Sequence, residues 1–455
     1  MSRSLTSIYY IEDIDSLRFA LSLHKFDVLN LQPHFPGYPL FCFTAKLFYL
    51  IIGNKGLTFS IIGAISVFFC MYYCLKISKI SPKSKIGFFI ILMILLNPLF
   101  WLMSNRYMPD LMGLAVALGA LYYLVARKRL FLGFFIFGLL PGIRLSFLPL
   151  LFVPIFSNLL KNKNKLILVT FSLFGISIWL VPFIYLTGFE NLWSIGLKHT
   201  HGHFNDYGGT IYTETNWGSR LKHLFKSVWA DGLSGYWSGR SVVTMIISAY
   251  LIYFFSLSLR SIQKIRKDKS FKIILFSMII YILWIIFFQN IIHKSRHVLP
   301  IIFFLILFIS LGQKFNQTRK FNFYLSASFF PVLLFITYTL VIQHKKPSAV
   351  SQMKDYLLKQ KKPIKVVTIP LINYYLNANR VETEFYNVEN QEDIFQLNNS
   401  KNLEKYYVIG NFRNLFNNTI ELIYDRSFYH NPYVNRMWSR LDIYSMNSNE
   451  MHNEQ

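Results

Sequence analysis

Long apolar runs constrain this chain more than any other feature of its sequence. Stretches nearly free of charge recur between residues 56 and 343. A helix needs roughly 20 apolar residues to cross the hydrocarbon core of a bilayer, so these stretches predict spanning helices. We place full-length helices at 56–76, 86–104, 110–126, 165–187, 241–259, 272–291, 297–312 and 321–343. The predicted fold class is a polytopic α-helical membrane protein.

The composition excludes an ordinary soluble enzyme. The 455 residues are 53% hydrophobic and only 15% charged, which is too apolar for a soluble protein of this size. A formal net charge of +25 could indicate nucleic-acid binding. However, the lysines and arginines lie mostly in short clusters between apolar runs, as in cytoplasmic loops that face anionic lipid. We therefore expect membrane lipids as partners and no nucleic acid.

These basic clusters indicate the side of the membrane on which each connection lies. Five clusters occupy residues 76–85, 127–129, 161–165, 260–272 and 314–320. Lysine and arginine are enriched in cytoplasmic loops, and placing all five clusters inside gives a consistent alternation. The outer connections are then 1–55, 105–109, 188–240, 292–296 and 344–455.

The apolar stretch 130–157 is interrupted by Pro141, Gly142 and Arg144. Each half is too short to cross alone, because a helix rises only about 1.5 Å per residue. We predict a helical hairpin that enters and leaves on the same side, which the alternation of the basic clusters also requires.

The amino-terminal region is predicted to lie on the outer face. Residues 1–37 lack an apolar stretch of the length found in signal peptides, so we expect none. Residues 40–53 are apolar but short and contain Lys46, which favours an interfacial helix. If this segment crossed the membrane instead, the residues before it would lie in the cytoplasm.

The chain after Gln343 becomes polar and predicts a small α/β domain. Helices are expected at 348–360 and 370–378, and strands at 364–369, 381–386, 405–409, 419–424 and 440–445. The predicted domains are thus 1–55, a membrane bundle at 56–343 that includes the outer loop 188–240, and 344–455.

An acidic segment precedes the first apolar run. Carboxylates are costly in hydrocarbon, so Asp13 and Asp15 are expected to line a polar site on one face of the membrane. Either residue could instead cap the short amphipathic helix that follows. The two roles are compatible, since the helix dipole keeps such a carboxylate anionic and available as a base. His34 follows in a segment stiffened by prolines.

Further charged residues occur where the apolar pattern breaks. Asp110 follows Pro109 at a helix start, where it is either a capping residue or a second carboxylate of the outer site. Arg144 lies within an apolar hairpin, and an ionisable residue at membrane depth suggests function, with snorkelling to an interface as the alternative. Lys294 and Arg296 could hold an anionic lipid headgroup or serve as an interfacial anchor.

The outer loop carries three alternating histidines: His199, His201 and His203. On an extended chain they would face the same side, as a metal or phosphate site could require. Substrate contact by His201 and His203, helped by the aromatic residues of this loop, is the favoured interpretation. No cofactor is certain, and a divalent metal remains possible. A Walker loop and a dinucleotide-binding glycine pattern are both missing from the sequence.

Taken in chain order, several motifs resemble the GT-C membrane glycosyltransferases, particularly the branch of protein O-mannosyltransferases and the lipid A aminoarabinose transferase. The motifs are Asp15-Ser16-Leu17-Arg18-Phe19, Pro33-His34-Phe35-Pro36-Gly37-Tyr38-Pro39-Leu40, Met108-Pro109-Asp110, Gly142-Ile143-Arg144 and Arg296-His297-Val298-Leu299-Pro300. The resemblance covers about residues 10 to 345. In this family a transmembrane helix precedes the acidic loop, whereas residues 1–37 contain no apolar stretch of that length.

The resemblance implies sugar transfer from a polyprenyl-phosphate donor to a lipid, glycan or protein acceptor outside the cytoplasm, in a bacterial inner membrane. It implies that Asp15 is the catalytic acidic residue, which acts as general base on the acceptor hydroxyl or orients it, although Asp13 could occupy that position. Arg296 and Lys294 would hold the phosphate leaving group. Two alternatives remain: a transporter or flippase-like protein without catalysis, and a degenerate family member that acts in assembly.

Overall fold

The structure is a computed structural model that describes residues 2–127, 129–316, 320–360, 364–390, 392–393, 406–410 and 422–446, with backbone alone at 320–323 and 446. Parts of two predicted basic clusters, at 128 and 317–319, lie outside these residues. The same is true of residue 405 and residues 419–421 in two predicted strands.

Helices dominate the described residues. They are α1 (Ser2–Leu5), α2 (Ile14–Ser22), α3 (Pro39–Ile52), α4 (Lys55–Ser78), α5 (Lys85–Leu95), α6 (Pro98–Asn105), α7 (Asp110–Ala126), α8 (Leu130–Leu139), α9 (Pro141–Arg144), α10 (Phe152–Lys161), α11 (Lys165–Thr187), α12 (Phe189–Asn205), α13 (Trp217–Lys226), α14 (Val243–Arg260), α15 (Ile262–Ile265), α16 (Lys269–Phe288), α17 (Leu299–Phe315), α18 (Lys320–His344), α19 (Ala349–Leu357) and α20 (Pro370–Ala378). Two 3₁₀ turns, Leu145–Leu151 and Ser295–Val298, and one π-helical turn, Ser227–Gly232, connect some of them.

The helices confirm a polytopic membrane protein. Within the described ranges, seven helical stretches are long and apolar enough to cross a membrane, or eight if one bent pair counts as a span. The seven are Lys55–Ser78, Leu130–Lys161, Lys165–Thr187, Val243–Arg260, Lys269–Phe288, Ser295–Phe315 and Tyr324–Leu357. The predicted helix at 110–126 is present as α7, which is shorter than these.

The predicted single helix at 86–104 is wrong, because α5 and α6 form two helices bent by 51°. The break falls at Asn97, whose side-chain oxygen accepts a hydrogen bond from the N–H of Phe100 and so caps α6. Pro98 follows at the first helical position, where its missing N–H costs nothing. The cap and the proline therefore start a new helix inside one apolar run.

The stretch from α8 to α10 turns back on itself, as the sequence predicts. Gly133 in α8 lies against Leu124 near the end of α7, and Arg144 lies against Gly113 near the start of α7. Asn158 in α10 then donates a hydrogen bond of 3.0 Å to the carbonyl of Leu124. The chain thus runs the length of α7 and returns. Leu130–Lys161, one of the seven apolar stretches, is therefore a hairpin with Arg144 at its turn.

The chain forms two compact units. One comprises Met1–Ile8 and Arg18–Ile342, and the other comprises Tyr9–Leu17 and Gln343–Gln455. The short acidic segment therefore belongs to the unit built mainly from the carboxy-terminal part of the chain.

The second unit contains the predicted α/β domain. The strands among its described residues are β1 (Lys365–Thr368), β2 (Glu384–Asn387), β3 (Tyr406–Ile409), β4 (Leu422–Tyr429) and β5 (Arg440–Met446). They form a mixed sheet in the order β2-β1-β3-β5-β4, parallel across the first three strands and antiparallel across the rest. All four residues of β3 are buried, and Val366 and Val367 of β1 are buried beside it, as expected for strands inside a sheet.

Candidate active site

A buried carboxylate between two arginines forms the centre of the candidate site in the first unit. Asp110 is 0% exposed, and Arg144 and Arg296 are also buried. The Oδ1 atom of Asp110 lies 2.9 Å from Nη2 of Arg144 and 3.7 Å from Nε of Arg296. Buried ions are costly unless they are paired, so the opposite charges of this cluster stabilise one another.

Each of these side chains comes from an interruption in helical structure. Asp110 is the first residue of α7, directly after Pro109. Arg144 ends α9 at the turn of the hairpin, and Arg296 lies in the 3₁₀ turn before α17. Helix ends leave backbone groups to be satisfied, and they offer polar surroundings inside an apolar bundle.

The cluster continues to the proline-rich segment. Nη1 of Arg144 donates to the hydroxyl of Tyr38 at 3.3 Å, and that hydroxyl lies 3.3 Å from Nε2 of His34. Tyr38 precedes α3 in a left-handed conformation with φ 46°. Four residues from three separate segments of the chain are thus linked from His34 to Asp110. Three of them, His34, Asp110 and Arg144, were predicted as site residues from the sequence.

Met108 also contacts this cluster, two residues before Asp110. Its sulfur accepts a hydrogen bond of 3.0 Å from Nη1 of Arg296. A thioether is a weak acceptor. Arg296 therefore has a weaker acceptor in Met108 than a charged oxygen would provide.

The acidic segment belongs to the second unit, and its two aspartates differ in role. Asp13 precedes α2, and its Oδ1 accepts a 2.8 Å hydrogen bond from the N–H of Ser16, which is N-cap geometry. Its Oδ2 accepts a 3.0 Å bond from Nδ2 of Asn435. Asp15 is the second residue of α2 and is 3% exposed. Capping by Asp13, one of the two interpretations of the sequence, is therefore observed.

The extended arrangement that would place the three alternating histidines on one face is wrong, whereas substrate contact by His201 and His203 stays a prediction. These residues lie on α12, not on an extended chain, so their spacing directs them differently. The rings of His199 and His203, one helical turn apart, stack at 6.2 Å. His201 points elsewhere, with its ring 3.8 Å from the carboxylate of the exposed Asp206. His203 donates to the carbonyl of Phe288 at 2.9 Å.

His199 lies among cationic groups. Burial, together with the smaller effects of His203, Arg18 and Lys294, lowers its pKa from the ordinary value to about 4. The His199 ring is therefore neutral at neutral pH. Lys294, a predicted phosphate ligand, therefore lies near enough to His199 on α12 for its charge to lower the pKa of that ring.

The described residues contain no group of three histidine, cysteine, aspartate or glutamate side chains that could hold a metal ion. The possible divalent metal therefore has no ligand set among them.

Sequence reasoning missed Tyr38, Met108 and Asn435 as members of these clusters. Tyr38 and Met108 belong to motifs on which the family resemblance rests, and their place in those motifs was the only signal in the sequence. Asn435 lies in the carboxy-terminal domain, among residues that carry no recognisable motif.

Neither a known protein family nor a curated protein matches the sequence. Solved structures do match in fold. Two of them are crystal structures of ArnT from Cupriavidus metallidurans, one bound to undecaprenyl phosphate and one in the apo state, with TM-scores of 0.53 and 0.54. Each match covers 97% of this chain and 95% of the other. The chain has the fold of ArnT.

Sequence identity to the two ArnT structures is only 10% and 9%, so the likeness concerns the fold. The resemblance to the transferase branch that contains the aminoarabinose transferase is confirmed at this level. The fold class predicted from the sequence, a helical membrane bundle with a small carboxy-terminal α/β domain, is also confirmed.

Proposed function

We propose that this protein is a membrane glycosyltransferase that moves a sugar from a polyprenyl-phosphate donor to a lipid, glycan or protein acceptor. The reaction would take place on the extracytoplasmic face of a bacterial inner membrane. The observation that carries the proposal is the buried pair of arginines at Asp110, in a chain with the fold of ArnT.

The arginines suit the phosphate of the donor. Guanidinium groups form charge-assisted hydrogen bonds to phosphate oxygens. Arg296 already directs one N–H to the sulfur of Met108, and it would gain a stronger bond by exchanging that sulfur for a phosphate oxygen. Arg296, with Lys294, would then stabilise the negative charge that develops on the leaving phosphate. Arg144 would fix the position of Asp110 directly, and it would fix the position of His34 through the Tyr38 hydroxyl.

We assign the general base to Asp15. Asp13 uses its carboxylate to cap α2 and to bind Asn435, which suits a role in shaping the loop. Asp15 lies in the first turn of α2, where the helix dipole favours its anionic form. It would accept the proton of the acceptor hydroxyl as that oxygen attacks the anomeric carbon. The bond from this carbon to the donor phosphate breaks, and its electron pair stays on the phosphate.

The test compares host cells that lack the gene and express either the natural protein or one variant. Asp15→Asn should lower sugar transfer by about 100-fold or more, because the base is lost. Binding of undecaprenyl phosphate to the purified variant, followed by native mass spectrometry, should not change. Arg296→Gln should instead weaken that binding. The transferred sugar is found by mass spectrometry of membrane lipids and glycoproteins.

Two matched variants control for charge alone. Asp27→Asn removes a carboxylate that pairs with Lys25, and Arg260→Gln removes an exposed arginine at the end of α14. Both should transfer sugar and bind undecaprenyl phosphate normally. Full transfer by Asp15→Asn would refute the assignment of Asp15 as the base. Absence of transfer by the natural protein would refute the enzymatic role and favour the transport or assembly alternatives.

A further inference from the structure

The α/β domain binds the acidic segment at four successive residues, all within the second unit. The hydroxyl of Tyr10 donates to the carbonyl of His344 at 2.7 Å, and the hydroxyl of Tyr375 donates to the carbonyl of Ile11 at 2.7 Å. The next two residues are held through their side chains, Glu12 by the ring of His344 at 3.3 Å and Asp13 by Asn435 at 3.0 Å. The approach to α2 is therefore fixed residue by residue.

The orientation of the Asn435 amide is determined by its own surroundings. Its Oδ1 accepts a 3.0 Å hydrogen bond from the N–H of Met437, so its Nδ2 is the group that faces Asp13. Asn435 is 5% exposed. The Nδ2 group of Asn435 therefore donates to the Asp13 carboxylate. The flipped amide, which would place Oδ1 against that carboxylate, is excluded.

A histidine fixes the backbone of Asn435. Nδ1 of His430 accepts a 3.0 Å hydrogen bond from the N–H of Ala349, so Nε2 of the neutral ring carries the proton. That Nε2 donates to the carbonyl of Asn435 at 2.9 Å. The start of α19, the ring of His430 and Asn435 therefore form one connected support beneath the Asp13 carboxylate.

We infer that Asn435 is a positioning residue for sugar transfer: through Asp13 it sets the start of α2 and with it the place of Asp15. The inference rests on the proposed role of Asp15 as base. It gives the α/β domain a part in catalysis through the loop that it holds. Asn435 itself touches neither the donor nor the acceptor.

The diagnostic variant is Asn435→Asp. At pH 8 it places a second carboxylate about where Nδ2 now lies, and two like charges at this separation repel. Transfer should fall about 10- to 100-fold through kcat, with KM for the lipid donor unchanged, because a small misplacement of a catalytic group has effects of this size. At pH 5 the pair can share one proton, which restores a donor to Asp13. The rate relative to the natural protein should therefore recover at pH 5.

Asn435→Ala supplies the second variant and Asn373→Ala the matched control. The alanine at 435 offers no donor at any pH, so its loss of rate should not depend on pH. Asn373 is also 5% exposed and bonds within the same domain, to the carbonyl of Tyr386 at 3.0 Å and to Asn387 at 2.7 Å. Its alanine variant should lower the Tm of the protein while leaving kcat and the pH profile intact.

A readout that needs no activity separates this inference from the proposed function. In both 435 variants at pH 8, hydrogen exchange at the Ser16 and Leu17 amides should speed up, while β1 and β3 keep their protection. Absence of transfer by the natural protein overturns the proposed function, and full transfer by Asp15→Asn overturns the role of Asp15, even if this exchange result holds. The inference fails if Asn435→Asp has the natural rate at pH 8, if its rate does not recover at pH 5, or if Ser16 exchange is unchanged.

Discussion

Gly113 shows how one missing side chain shapes the candidate site. It lies one turn after Asp110 on α7, directly beneath Arg144. A Cβ atom at this position would lie 2.4 Å from Cβ of Arg144, a separation that real structures do not show. The glycine therefore lets the hairpin turn approach α7 closely enough for the guanidinium of Arg144 to reach the Asp110 carboxylate.

Gly113→Ala should destabilise the protein by about 1–3 kcal/mol, since overpacking a dense interior has this cost. It should also lower sugar transfer, because Arg144 must move away from Asp110. Thermal unfolding in detergent and the transfer assay measure the two effects.

Gly218→Ala is the matched control for this change. A Cβ atom at Gly218 meets nothing closer than the side-chain oxygen of Asn216 at 3.5 Å, which is ordinary contact. This variant should leave both stability and transfer unchanged or slightly raise stability, since alanine favours helix. Unaltered unfolding of the Gly113 variant would show that the hairpin turn can move without cost.

At the scale of elements, Arg220 joins the outer loop to the end of α16. It is 0% exposed and lies on α13. Its guanidinium donates to the carbonyls of Ile286 and Gln289 at the end of α16, and to that of Gly209 in the loop. The last carbonyls of a helix have no partner within the helix. One planar, five-donor side chain thus caps α16 and holds the loop before α13.

Arg220→Lys should loosen this loop, because an ammonium group cannot reach three separate carbonyls in a fixed fork. Each lost charge-assisted bond costs about 1.5–3 kcal/mol. Limited proteolysis should cut residues 206–216 faster in this variant.

The exposed Arg266→Lys change serves as control and should leave the cleavage rate as in the natural protein. Equal cleavage of the loop in all three proteins would mean that other contacts hold it.

The whole molecule allows a direct test of membrane orientation. The predicted topology places the basic connections in the cytoplasm and the loop 188–240 outside. A membrane-impermeant maleimide should therefore label Thr215→Cys in intact cells. It should label Ser81→Cys and Asn164→Cys only after the membrane is opened. All three positions are exposed in the structure.

The natural protein is the control for this labelling, because Cys42, Cys70 and Cys74 are all buried. It should remain unlabelled under both conditions. Labelling of Ser81→Cys in intact cells would reverse the predicted orientation and place the basic connections outside.

The sequence by itself determined the class of the protein, most helix positions and the identity of several candidate site residues. Apolar length predicts spanning helices because lipid leaves the backbone no other partners. A charge inside such a run is costly, so Asp110, Arg144 and Arg296 could be recognised before any contact was known. The break at Asn97 and the helical placement of His201 were missed, since local polar residues fit more than one backbone conformation.

Only the tertiary structure decided which of these residues meet. The approach of Arg144 to Asp110 depends on the hairpin packing against α7. The hydrogen bond from Asn435 to Asp13 joins residues 422 positions apart. Such contacts leave no periodic signal along the chain, because they arise from the packing of elements that are distant in sequence. Spacing and charge therefore indicate which residues belong to a site, whereas the fold determines which of these residues contact each other.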